Sequence, residues 1–226
     1  MTDTIPTFTE ALTSVDQLDD LYRAASQGVK DKETQLLDQG CRDFIAMSTF
    51  VLVGTSDADG DLDVSPRGGP AGFVKVLDDH RLAIPDLNGN NRLDSIRNII
   101  TNGRVGLIFL IPGLGETLRI NGDACITTDD AVLDLFTDEF RRPKTAIGVT
   151  IDHGFIHCAK SIRRGGLWQP NTWADADARP SAGQILVDHA GVGEFITGAQ
   201  LDEDLEKTYV TDLAADLPGG PPASGD

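Results

Sequence analysis

Positive charge is scarce in this sequence. Its 226 residues hold 19 Lys and Arg against 36 Asp and Glu, a formal net charge of −17, with an isoelectric point near 4.4. A general binder of the nucleic-acid backbone needs a basic footprint, which this composition excludes. The same excess keeps the chain soluble and repels anionic membrane surfaces. Cysteine is also sparse. Cys41, Cys125 and Cys158 are an odd number at wide spacing with no CxxC pair, so no disulfide framework is expected and a reducing compartment, the cytoplasm, is. No apolar run approaches the roughly 18–20 residues of a membrane-spanning helix; the longest, Val105 to Pro112, has the length of a buried strand. The opening MTDTIPTFTE lacks a basic and an apolar region, so no signal peptide is expected.

Several chemistries lack their motifs. There is no Walker loop and no GxSxG elbow. Gly113-Leu114-Gly115 has no third glycine and joins two strand candidates, which makes it a β-turn rather than a dinucleotide fingerprint. Asp57 to Asp63 alternates acids as a calcium loop does, but Gly60 is fourth and Gly68 stands where a bidentate Glu belongs, so a solvated hairpin tip is expected. His153, His157 and Cys158 have no acidic partner at a known ligand spacing, and no metal is expected.

What is present is ordinary globular material, 40% hydrophobic and 24% charged, enough for one α+β domain with helical additions. Residues 1–47 read as a helical extension, with helical spacing at Leu18, Leu21 and Tyr22 and again at Leu36, Leu37, Cys41, Phe44 and Ile45, and Gly28 between the two helices. Phe50–Thr55, Leu62–Val64 beyond the Asp59-Gly60 turn, Phe73–Leu77 and Arg81–Ile84 read as a meander of antiparallel strands. Arg92–Thr101 reads as a helix, Val105–Ile111 and Thr117–Thr127 as strands, and Ala146–Cys158 as the last strong strand. Thr128 or Asp129 caps a short helix through Phe136; Gln184–His189 and Asp202–Leu213 are helical candidates. The domain is expected over 48–216, and LPGGPPASGD, 217–226, is expected to be a disordered tail.

Two segments carry chemistry. In Ser65-Pro66-Arg67-Gly68-Gly69-Pro70, two prolines interrupt a strand ladder, two glycines permit close approach to the backbone, and Arg67 offers a planar donor fork. In Gly89-Asn90-Asn91-Arg92-Leu93-Asp94-Ser95 a loop opens a helix with an arginine in its first turn, an arrangement suited to a phosphate, with Asp94 as the alternative partner.

Read in order, these segments resemble the pyridoxamine 5′-phosphate oxidase superfamily of FMN-binding split barrels. SPRGGPAGFVKV, LAIPDLNGNNRLDSIRNI, RVGLIFLIPGLGETLRINGDA and, later, HCAKSIRRGGLW are similar to its branch of probable FMN-dependent enzymes. The resemblance implies an α+β fold, an antiparallel split β-barrel with flanking N- and C-terminal helices. It implies a homodimer with the cofactor at the interface, acting on a small-molecule substrate. Carried over by position, Arg67 and Gly68 lie against the flavin, Pro85 and Asp86 line its ribityl chain, Asn91 and Arg92 hold its phosphate, and Thr117, Lys75 and Trp168 approach it. The implied function is an FMN-dependent oxidoreductase, with a carrier of flavin, F420 or haem without turnover as the alternative. The C-terminal pattern that binds pyridoxal phosphate in the true oxidases is not recognisable, so that activity is not expected.

Overall fold

The computed structural model describes residues 8–221, with backbone alone for residues 29 and 30. The chain divides after Glu33 into two compact units, Met1–Glu33 and Thr34–Asp226. The first holds two short helices, α1 (Gln17–Leu21) and α2 (Gln27–Lys30). The sequence reading of long helices separated at Gly28 is corrected here, because Gly28 lies inside α2. Leu18, Leu21 and Tyr22 remain exposed in α1. Without a buried face, helices this short gain little from propensity alone.

The second unit is built on a seven-stranded antiparallel sheet with the order β2-β1-β5-β6-β7-β4-β3. It opens with α3 (Gln39–Met47), capped by the Asp38 carboxylate on the Cys41 N–H and burying Cys41, Phe44 and Ile45. The strands are β1 (Phe50–Ser56), β2 (Leu62–Gly68), β3 (Lys75–Val76), β4 (Arg81–Pro85), β5 (Arg104–Leu110), β6 (Thr117–Thr127) and β7 (Ala146–His157), and α4 (Asp94–Asn102) lies between β4 and β5. The sheet stays open, with β2 and β3 at its edges: an α+β split barrel, as the sequence suggests.

Period-two burial explains the core. Val51 and Val53 of β1, Leu107 and Phe109 of β5, and Leu118 and Ile120 of β6 are all fully buried. Each such side chain contributes about 1.5–3 kcal/mol relative to exposure. The long strands β6 and β7 pair over nearly their whole length, with a register shift at Asn121/Gly122. Gly122 is obligatory there, because a Cβ would stand 2.1 Å from the Thr150 carbonyl oxygen.

Past β6, Asp129 caps α5 (Asp130–Leu133) through the Ala131 N–H, as expected. Past β7 come α6 (Lys160–Arg164), α7 (Ala182–Ala190) and α8 (Gly198–Ala215). The last two cross where Gly183 meets Gly198, and a Cβ on Gly183 would lie 2.3 Å from the Gly198 carbonyl oxygen. Beyond α8 the chain turns back, and the Arg141 guanidinium donates to the carbonyls of Gly220 and Pro221. The remainder of the expected disordered tail, 222–226, lies outside the described residues. Among the described residues no helix is long and apolar enough to cross a membrane.

Candidate functional site

Three pieces of chain converge on one cavity of about 460 Å³: the end of β2, the segment from Pro85 into the start of α4, and the C-terminal end of α8. Each is positioned by a local rule. β2 is an edge strand, which is where Pro66 is tolerated. Its alternation turns Asp63, Ser65 and Arg67 toward the protein and leaves Leu62, Val64, Pro66 and Gly68 exposed. The Gly69–Gly72 turn is locked against α3 and β1, with the Gly69 N–H on Thr49 O and the Gly72 N–H on Ser48 O. At Gly69 a Cβ would meet the Phe73 ring at 2.7 Å. Arg67 is thereby held in place. Its Nη1 donates to Asp86 Oδ1 at 2.9 Å, with about a fifth of each side chain exposed. Its Nε is buried and has no partner among the described residues.

The start of α4 is fixed by polar tethers to the β1–β2 hairpin. Ser95 Oγ donates to Asp63, Asn98 Nδ2 donates to Thr55 Oγ1 at 3.1 Å, and Asn102 Nδ2 donates to Ser56 Oγ at 2.7 Å. The entry loop is strained. Among the described residues, Asn91 and Leu93 are the non-glycine residues with positive φ, at 57° and 59°. Asn accepts this region readily, whereas Leu pays about 1–2 kcal/mol for it. Leu93 is also the N-cap and offers no side-chain acceptor, so first-turn N–H groups of α4 are left for solvent or a ligand. Strain and open donors together at a cavity wall are the features of an anion site.

Carboxylates temper that charge. Arg92 is mostly exposed and its Nε donates to Asp94 Oδ2 at 2.8 Å; the bond to this carboxylate holds its guanidinium above the usual arginine range. Asp94, the alternative partner in the sequence reading, is the one engaged. Asp63 and Asp216 also line the cavity. Burial pushes the Asp216 carboxyl up, against the two hydrogen bonds it accepts from Asn88.

Of the residues expected at the site, Arg67, Gly68, Pro85 and Arg92 line this cavity. Asp86 touches it through Arg67 and, with Asn91, lines a neighbouring cleft of about 100 Å³. Lys75, Thr117 and Trp168 are elsewhere. Lys75 pairs with Glu139 at 2.6 Å and faces a separate groove with Arg42 and Leu135. Thr117 stands opposite His157 at the far end of β6. Trp168 Nε1 donates to the Leu114 carbonyl oxygen at 2.7 Å. Asn88, Leu213 and Asp216 are cavity residues that the sequence reading missed. Asn88 and Asp216 are 128 positions apart, and no local pattern links them. Among the described residues no group of three or more His, Cys, Asp or Glu side chains is placed to hold a metal.

The sequence model for pyridoxamine 5′-phosphate oxidase matches residues 37–158. No curated protein matches the chain. Among solved structures it is similar to HupZ of Group A Streptococcus, at 20% identity over 52% of this chain and 91% of that one, with a TM-score of 0.44. A putative pyridoxamine 5′-phosphate oxidase of Lactobacillus delbrueckii is 20% identical over 54% of this chain and 95% of its own, with a TM-score of 0.41. HutZ, the haem storage protein of Vibrio cholerae, is 13% identical over 54% and 94%, with a TM-score of 0.39.

Proposed function

The chain belongs to the pyridoxamine 5′-phosphate oxidase family, and from that premise we propose that it is a flavin-dependent oxidoreductase holding FMN in the cavity between β2 and α4. One observation carries the reading. Arg67, with a buried and unpartnered Nε, faces the same cavity as the uncapped, strained start of α4. These donors fit an anionic, phosphate-bearing group, and the Leu87, Leu213 and Phe73 side chains supply apolar wall. Bound there, a flavin supplies the hydride and electron chemistry.

The chain's own residues then bind and orient. Arg67 presents its fork, held by Asp86. The α4 N–H groups donate to phosphate oxygens. Leu213, near the end of α8, adds an apolar contact at the rim of the cavity. Arg92 contributes charge at the rim, reduced by its bond to Asp94. The proposed substrate is a small molecule.

Arg67→Ala is expected to weaken FMN by about 1.5–3 kcal/mol, roughly 10- to 150-fold in Kd. Fluorescence titration checks this, and thermal melting of the same variant separates lost binding from lost folding. Unchanged affinity in a folded variant removes Arg67 from the site.

The functional unit we propose is a homodimer. The β2 edge supports this reading, because Leu62 is 83% and Val64 65% exposed on a strand with an unpaired side. Sedimentation is expected to give twice the 24.2 kDa chain mass; a monomer at micromolar concentration contradicts it. The three cysteines are free thiols, which suits the reducing cytoplasm proposed as its compartment.

A further inference from the structure

Along most of its length α8 has little hold on the domain. Between Gly198 and Ala215 none of its residues is buried, and Gly198 packs on Gly183 of α7. Its C-terminal end is different. Ala215 is fully buried, and the chain then folds back on itself. The Leu217 N–H donates to Ala214 O at 3.3 Å, Gly219 turns with a φ of 71°, and the Gly220 N–H donates to Leu217 O at 2.9 Å. Gly220 lies so close to Ala214 that a Cβ there would overlap its carbonyl oxygen. Arg141 closes the fold. Its backbone N–H donates to Asp216 O at 2.6 Å, and its guanidinium donates to the Gly220 and Pro221 carbonyls. Arg141 is itself firmly placed, because the adjoining Phe140 is buried and its N–H donates to Phe136 O at 2.9 Å.

This clasp presents the Asp216 carboxylate to the cavity loop. Asp216 Oδ1 accepts from the Asn88 N–H at 3.2 Å and from Asn88 Nδ2 at 2.8 Å. The loop is entered at Asp86, whose N–H donates to Thr145 O at 3.1 Å, and left at Ser95, whose Oγ donates to Asp63. Among the described residues, the stretch 87–93 makes no other hydrogen bond to a distant part of the chain. The Arg92 N–H goes to Asn90 and the Arg92 side chain to Asp94. Yet this stretch holds both strained residues, Asn91 and Leu93. Left-handed backbone at a leucine persists only where its surroundings impose it. The α4 tethers impose it from one side and Asn88 from the other. Without the second tether, backbone entropy favours a relaxed loop.

We infer that the C-terminal clasp, residues 215–221 held by Arg141, keeps the 87–93 loop in its strained, anion-receptive conformation, with Arg141 as the positioning residue. Arg141 lines the cleft behind the loop and not the cavity itself, so it acts through Asp216 and Asn88. A loop released from Asn88 spends only part of its time with the first-turn N–H groups of α4 open to the cavity, and apparent affinity falls by that fraction. The coupling is reciprocal: an occupied cavity tightens the clasp. The inference rests on the reading of this cavity as the ligand site.

The test is hydrogen–deuterium exchange of the full-length, ligand-free protein, with FMN titration alongside, for the parent, Gly220→Ala, Arg141→Ala and Arg141→Lys. Gly220→Ala strikes the clasp by overlap and Arg141→Ala by loss of donors, and neither residue lines the cavity. In both, exchange is expected to rise over 87–97 and 210–216 while β1, β5 and β6 keep the parent's protection, which shows an intact barrel. The Kd for FMN is expected to rise about 5- to 30-fold, the range set by the cost of a left-handed leucine. Arg141→Lys keeps a cationic donor and is expected to recover most of both losses. In the parent, FMN is expected to slow exchange over 210–216. Unchanged exchange over 87–97 in the two disrupting variants overturns the inference, as does a rise spread evenly over the barrel strands. If the parent binds no FMN, the flavin reading fails and the exchange pattern alone decides the clasp.

Discussion

Arg67 and Arg92 carry the same charge in different settings. Arg67 is inside the alternation of an edge strand and holds a buried Nε with no partner, whereas Arg92 projects from a loop and is bonded to Asp94. Both were visible in the sequence as arginines in glycine-rich segments. Both are paired with a carboxylate, Arg67 with Asp86 and Arg92 with Asp94, and the sequence shows neither pairing, because a nineteen-residue separation carries no spacing rule and a two-residue offset permits the bond without requiring it. Lys75 shows the same limit more sharply. Its partner Glu139 is 64 positions away, beyond any spacing rule. The cysteines give a test at this scale. Burial and the Asp38 side chain push the Cys41 thiol up to about 11, whereas Cys125 and Cys158 are exposed. Alkylation at pH 8 is expected to modify Cys125 and Cys158 and spare Cys41, read by peptide mass spectrometry. A raised thiol pKa also means that the stability associated with Cys41 is whole below the unfolded value of 9.0 and is lost as pH rises toward 11. Rapid modification of Cys41 in the folded protein would contradict its place in the core.

At the scale of elements, strands were more legible than helices. β1, β5, β6 and β7 fall within a residue or so of their sequence readings, because alternating burial leaves a period-two trace in the residues themselves. The third strand shrinks to Lys75–Val76, and the helix read from Arg92 begins at Asp94. There the backbone turns left-handed at Leu93, a conformation that no propensity assigns to leucine. The register shift at Asn121/Gly122 left a mark only in the glycine. Gly122→Ala is expected to lower stability by about 3 kcal/mol or more, since its Cβ would collide with the rigid Thr150 and Ile151 backbone. Chemical denaturation measures this, and a loss below about 1 kcal/mol would mean that the β6–β7 pairing yields more easily than described.

At the scale of the molecule, the candidate site is assembled from distant parts of one chain. Asn88 of the cavity loop bonds Asp216 at the end of α8, and the Arg141 N–H donates to the Asp216 carbonyl oxygen at 2.6 Å. The sequence revealed the first wall, Arg67 and Pro85, and the second, the start of α4. The third, Leu213 and Asp216, comes from a helix whose charged composition gave no sign of it. The net charge of −17 sets the background against which the proposed anion site in the β2–α4 cavity stands out.

The central claim is that the β2–α4 cavity holds a flavin. The most direct measurement is an absorption spectrum of purified protein, taken before and after addition of FMN and passage through gel filtration. Retained bands near about 375 and 450 nm are the predicted result. A single retained band near about 420 nm would replace FMN by F420, and a sharp Soret band would replace it by haem. A colourless protein that keeps none of these groups would contradict the functional account and leave the split barrel alone standing.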